Sequence, residues 1–278
     1  MSNASLTALA LLTALLATTP AFADPDPRDV QVTGVAEMGF LAVLDHNVQF
    51  SRDGTDFDYD DQGGQDTLFQ VARLSMELAL KERHQIIFLY QPLELKTAVV
   101  LRDDLVVDGQ TFPAGTPMNF TYGFPFYRLS YLYDLADGRD QELSVGGSLQ
   151  LRNATIAFAS ADGQLLRTNR DVGPVPLLKV RGRQALSDRF WLGFEVDGIY
   201  APVSYINGSD NEVTGALLDA SGRVGVNVLD HASLFFNLRY LAGGATGDSD
   251  DTSGFGDGYT RNWLHFATVT LGATYEAF

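Results

Sequence analysis

Apolar and polar residues alternate with a period of two along most of this chain. In 71–80, Ala72, Leu74, Met76, Leu78 and Leu80 share one face, and Arg73, Ser75 and Glu77 share the other. The segment 142–152 sets Leu143, Val145, Leu149 and Leu151 against Ser144, Ser148, Gln150 and Arg152. In 176–183, Leu178 and Val180 oppose Lys179, Arg181 and Arg183; in 190–200, Phe190, Leu192, Phe194, Val196 and Tyr200 oppose Glu195 and Asp197. The run 233–242 repeats the pattern, with Leu234, Phe236, Leu238 and Tyr240 against Ser233, Asn237 and Arg239. Successive side chains of a strand point to opposite faces, so this spacing predicts β-strands.

Collecting such runs predicts about ten strands, at 31–44, 67–80, 84–95, 119–133, 141–153, 173–185, 189–202, 214–228, 231–243 and 262–277. The connections alternate in length. Those near 81–83, 135–140, 186–188 and 229–230 are short; those at 45–66, 96–118, 154–172, 203–213 and 244–261 are long. No helical domain and no internal repeat intervenes, so 24–278 reads as a single domain. Short turns on one side, long loops on the other and an even strand count describe an antiparallel transmembrane β-barrel of the bacterial outer membrane. A closed barrel leaves no unpaired edge in lipid. Aromatics near strand ends (Tyr131, Tyr133, Phe190, Trp191, Tyr200, Tyr240, Trp263 and Tyr275) suit the two interfacial girdles. A soluble β-sandwich also alternates, and periodicity by itself leaves that architecture open.

The amino terminus adds a destination. An apolar stretch from Leu6 to Ala17 ends in Ala21-Phe22-Ala23, which reads as a cleaved signal peptide over 1–23, although no Lys or Arg precedes it. After Ala23 no apolar run reaches the roughly 18 residues of a membrane helix. Export without a spanning helix, in a chain with 45% hydrophobic residues, fits the outer membrane of a Gram-negative bacterium. A formal charge of −16 argues against nucleic acid as a partner, because phosphates would be repelled. The absence of cysteine removes disulfides, thiol nucleophiles and thiolate metal sites.

The motifs "NGSDNEV", "FPFYRLSYLYDL" and "NWLHFATVTLG" resemble a family of uncharacterised proteobacterial outer-membrane barrels, over the whole mature chain. The resemblance implies the fold, membrane lipid and lipopolysaccharide as surroundings, and the barrel-assembly machinery as a partner. It implies no activity and no oligomeric state. The final Phe278 is similar to the terminal aromatic that this machinery reads. The alternate positions before it are Glu276, Thr274, Gly272 and Thr270, whereas the apolar phase runs through Tyr275, Ala273, Leu271 and Val269. Either a bulge shifts the phase or Phe278 is not the assembly signal.

The alternation assigns twelve charged residues to the lumen: Arg73, Glu77, Arg128, Arg152, Lys179, Arg181, Arg183, Glu195, Asp197, Asp219, Arg223 and Arg239. They either line a narrow path for small solutes or fill the bore with ion pairs. Ten strands lie near the size at which side chains fill a barrel. Lys179, Arg181 and Arg183 face Glu195 and Asp197 on the next strand. Three functions follow: a narrow pore or solute-binding barrel, a non-conducting structural or surface-interaction barrel, and an enzyme acting on lipid or peptide.

No catalytic residue can be assigned. His46 adjoins Asp45, with Asp210 in a later loop, but nothing around them resembles the omptin proteases, ten-stranded barrel enzymes that use Asp and His. His231 to Ser233 resembles only superficially the His-x-Ser of lipid A deacylases, and it lies at a short turn, the wrong end for the outer leaflet. His84 sits at another short turn, and His265 beside Trp263 reads as interfacial. In the acidic segment 53–64, Asp56, Asp58 and Asp60 have the spacing of a calcium loop, but Asp61 and Thr67 stand where an EF-hand needs Gly and Glu. No cofactor is expected beyond a Ca²⁺ or Mg²⁺ shared between the acidic loops 45–66 and 244–261.

Overall fold

The computed structural model describes residues 30–81, 83–136, 141–202, 212–248 and 256–277. Both the leader expected at 1–23 and the expected assembly signal Phe278 lie outside the described residues. In chain order the strands are β1 (Val30–Phe50), β2 (Phe57–Asp58), β3 (Leu68–Leu80), β4 (His84–Gln91), β5 (Glu94–Val100), β6 (Leu105–Val107), β7 (Gln110–Phe112) and β8 (Pro117–Gly123). They continue as β9 (Phe126–Asp134), β10 (Gln141–Ser160), β11 (Leu166–Ala185), β12 (Phe190–Pro202), β13 (Glu212–Leu229), β14 (Ala232–Asp248) and β15 (Tyr259–Glu276). Ten of these close a ring in which every neighbour is antiparallel: β1, β3, β4, β9, β10, β11, β12, β13, β14, β15 and back to β1. The closed ring replaces the sandwich alternative and carries the expected number of strands.

Outward side chains form an apolar belt. Met38, Phe40, Met76, Phe88, Leu129, Leu143, Val145, Leu149, Leu178, Phe194, Phe236 and Leu271 all project from the wall. On β10 the outward apolar run extends from Leu143 to Leu151, then gives way to Asn153 and Thr155. That matches the ~9–11 tilted residues that cross a bilayer. Tyr90 stacks on Tyr127 at 4.8 Å on one margin, where Tyr240 also meets His265. His84 meets Tyr131 at 2.7 Å on the other. Trp191 departs from the girdle assignment. It is 5% exposed and faces the bore, because the period of two places it in phase with Glu195 and Asp197.

Beyond the belt the strands run on where long loops were expected. β10 and β11 stay paired from Gln141↔Gln184 to Ala159↔Leu166, so the loop expected at 154–172 is a tip of a few residues. β1 continues past position 44 through a register shift between Val43 and Asp45. The shift exchanges the phases: Leu41 and Val43 point inward before it, and His46, Val48 and Phe50 after it. No shift occurs near the chain end, where β1 and β15 pair continuously from Val43↔Phe266 to Thr33↔Glu276, so no bulge resets the phase among the described residues.

Two seams divide this extension into a head of two sheets. β3–β4 pairing stops at Leu74↔Tyr90, and β11–β12 pairing stops at Leu178↔Gly198. Above those levels β5, β8, β10 and β11 form one sheet, and β12, β13, β14, β15, β1 and β3 form the other. Pro92 and Pro125 interrupt the β4–β5 and β8–β9 paths at one level, since proline offers no N–H to a ladder. The Phe124 N–H to Leu93 carbonyl bond of 2.7 Å stitches the two breaks together. Pro174 and Pro176 lie on the upper part of β11, which pairs on one side only, where proline is tolerated.

Candidate functional site

The bore has two kinds of filling. Around mid-height the period-two phase that turns apolar side chains outward turns charged ones inward. Arg128 Nη1 contacts Asp197 at 2.8 Å and Asp219 at 2.9 Å, while its Nε donates to Gln150 at 3.0 Å. Arg239 holds both carboxylate oxygens of Asp219, at 2.5 and 2.7 Å, and donates to Gln91 at 2.7 Å. Lys179 bridges Glu195 at 2.9 Å and Asp197 at 2.8 Å. Arg73 reaches across the barrel to Glu195 at 2.8 Å, and Arg223 meets Glu37 at 3.1 Å. One step toward the turns, Arg181 contacts Glu77 at 2.6 Å and Glu142 at 3.3 Å.

Six carboxylates (Glu37, Glu77, Glu142, Glu195, Asp197 and Asp219) thus meet six cations (Arg73, Arg128, Lys179, Arg181, Arg223 and Arg239). The network is neutral within itself. Ion pairs from different strands span the bore, so their geometry couples the walls.

All twelve residues assigned to the lumen from sequence face inward, and eleven of them form ion pairs. The expected pairing of the β11 cations with Glu195 and Asp197 is met by Lys179. Arg181 lies opposite Glu195 in register yet turns to Glu77 and Glu142. Arg152 pairs with Asp171 and lies over the Phe124 ring. Arg183 stacks on Trp191, 4.3 Å from the ring centroid. Sequence reasoning missed Glu37, Glu142 and Gln91. Glu37 alternates with the outward Met38 and Phe40, and that phase was the available signal.

Toward the head the filling changes to aromatic. Phe57 and Tyr59 leave the first acidic loop and enter the space between the two sheets, where Tyr59 is fully buried. Tyr59 stacks on His46 at 4.7 Å and lies within 6.1 Å of Phe57, Phe120, Tyr122 and Phe158. Loop residues Gly63 and Gly64 occupy the β3–β5 seam: Thr97 donates to the Gly63 carbonyl at 2.5 Å, and Gly64 packs on Val99. The β6–β7 hairpin turns at Asp108-Gly109, both at positive φ, and buries Leu105, Val107 and Phe112 in the same core.

His46 is therefore a packed ring bonded to Gln65 at 2.8 Å, whereas Asp45 faces Asn47. Asp210 lies outside the described residues. Among the acidic candidates, Asp56 pairs with Arg261 at 2.8 Å, and Asp58 accepts the amides of Asp60 and Asp61 at 2.8 and 3.1 Å. Burial, followed by the carboxylates of Asp58, Asp66, Asp45 and Asp61, raises the Asp60 pKa. Among the described residues no group of three metal-ligating side chains is assembled.

The turn end is an open vestibule of about 610 Å³. Its inner boundary holds two rings laid on glycines. A Cβ at Gly225 would stand 2.1 Å from the Trp191 indole, and one at Gly272 would stand 2.2 Å from Phe235. Gly225→Val is expected to displace the indole and lower unfolding stability by about 1–3 kcal/mol, read from the urea midpoint of the refolded barrel.

No protein-family model matches the chain, and no curated protein matches it. Among solved structures it is similar to the outer membrane protease OmpT from Escherichia coli, at 12% identity and a TM-score of 0.45, over 93% of this chain and 99% of that one. It is also similar to a Pseudomonas aeruginosa FadL homologue, at 9% identity and a TM-score of 0.39, over 90% and 91%. A third is Ail, the attachment invasion locus protein of Yersinia pestis, at 10% identity and a TM-score of 0.33, over 88% and 99%.

Proposed function

We propose that the protein is a non-conducting outer-membrane barrel of a Gram-negative bacterium that acts as a surface scaffold. The head stands outside the cell, and the turns and both strand termini lie in the periplasm. The observation that carries this reading is the double filling of the bore. A neutral ion-pair network crosses it at mid-height, and an aromatic core closes it above. A conducting path would have to part both. The narrow-pore reading draws its support from the vestibule alone, which reaches inward to Arg181 and Arg223.

Export by the 1–23 leader, insertion by the barrel-assembly machinery, contact with lipid and lipopolysaccharide, and membership of the proteobacterial family belong to the same proposal. A cation at Asp56, Asp58 and Asp60 forms no part of it. Refolded protein in planar bilayers is expected to give no discrete single-channel current. Stepwise openings that persist in highly purified protein would replace the scaffold with a pore.

A further inference from the structure

Arg183 stands apart from the other cations of the bore. Its guanidinium lies over the Trp191 ring, and it has no ion pair and no hydrogen bond among the described residues. Neighbouring Arg181 and Arg223 are each held by carboxylates. Stacking on an indole fixes the plane of a guanidinium while leaving its N–H edges open, which preorganises it for a planar oxyanion. Those edges border the vestibule, whose volume of about 610 Å³ suits a small organic ligand. Arg189, on the turn before β12, lines the same space.

The charge of the mouth selects among anions. Five carboxylates line it (Glu77, Glu142, Asp188, Asp230 and Glu276), so a dianion would meet more repulsion than a monoanion. We propose that the vestibule is a binding site for a single carboxylate group, such as the free end of a short periplasmic peptide, received by Arg183 against Trp191. This goes beyond the scaffold reading and is independent of whether the bore conducts.

The test uses the full mature chain refolded in detergent, with Trp263→Phe so that Trp191 is the sole indole reporter. Triglycine, triglycine amide and inorganic phosphate are the probes. Triglycine is expected to change Trp191 emission saturably. The amide should produce no such change, and phosphate should bind more weakly. Arg183→Gln, checked for folding by heat-modifiable gel migration, should weaken triglycine binding at least tenfold. If Arg183→Gln does not fold, Arg189→Gln serves as the second variant and should also weaken binding. A flat response to triglycine, an equal response to the amide, tighter binding of phosphate or undiminished affinity in the folded variants would each overturn the proposal.

Discussion

Asp219→Leu is expected to lower the unfolding free energy of the refolded barrel by about 3–5 kcal/mol. Asp219 is 3% exposed and accepts from both Arg239 and Arg128. Removing it leaves two guanidiniums inside the bore with one carboxylate fewer, and arginine cannot discharge itself by losing a proton. The penalty is thus chiefly that of uncompensated charge rather than of one lost contact. The measurement is the urea midpoint in detergent or vesicles, with Asp61→Leu as the control. Asp61 pairs with Arg102 on the exposed head, where an ion pair contributes about 0–1 kcal/mol. Equal midpoints for Asp219→Leu and the control would mean that water enters the network and supplies the missing partner.

Tyr59→Ala should be comparably severe for a different reason. A fully buried ring at the centre of the head core disappears, which costs about 3–5 kcal/mol for the lost contacts and the cavity left behind. Tyr59→Phe should cost little, because the buried hydroxyl has no hydrogen-bond partner among the described residues. Neither variant should conduct, since the ion-pair layer below the head remains in place. A channel opened by Tyr59→Ala alone would show that the aromatic core, and not the charges, closes the bore.

Which face each strand residue occupies was legible in the sequence, because alternation has a simple geometric cause. Lys179, Glu195 and Arg239 could be turned inward from spacing alone. Partners could not be read in the same way. Arg73 and Glu195 are 122 positions apart and meet only because the ring brings β3 and β12 across from one another. The head was hidden for two further reasons. The Val43/Asp45 shift reverses the phase of β1, so the alternation breaks where the strand continues. In the acidic loop, Phe57 and Tyr59 are two apolar residues among aspartates, a composition that suggests solvent exposure. Their backbone still pairs with β1 at Val48↔Phe57, and the aspartates stay at the rim while the rings point in. Strand ends fell short for a related reason: beyond the belt the outward positions become polar, so the strands change composition but not conformation.

The ring closes between its first and last strands, where β1 and β15 pair from Thr33↔Glu276 to Phe50↔Thr260. A chain emerging amino-terminus first makes β1 long before its partner exists. Until β15 arrives, one edge of β1 stays unpaired over most of its length, a template for any stray strand. The order of synthesis therefore makes the earliest strand the last to be fully paired.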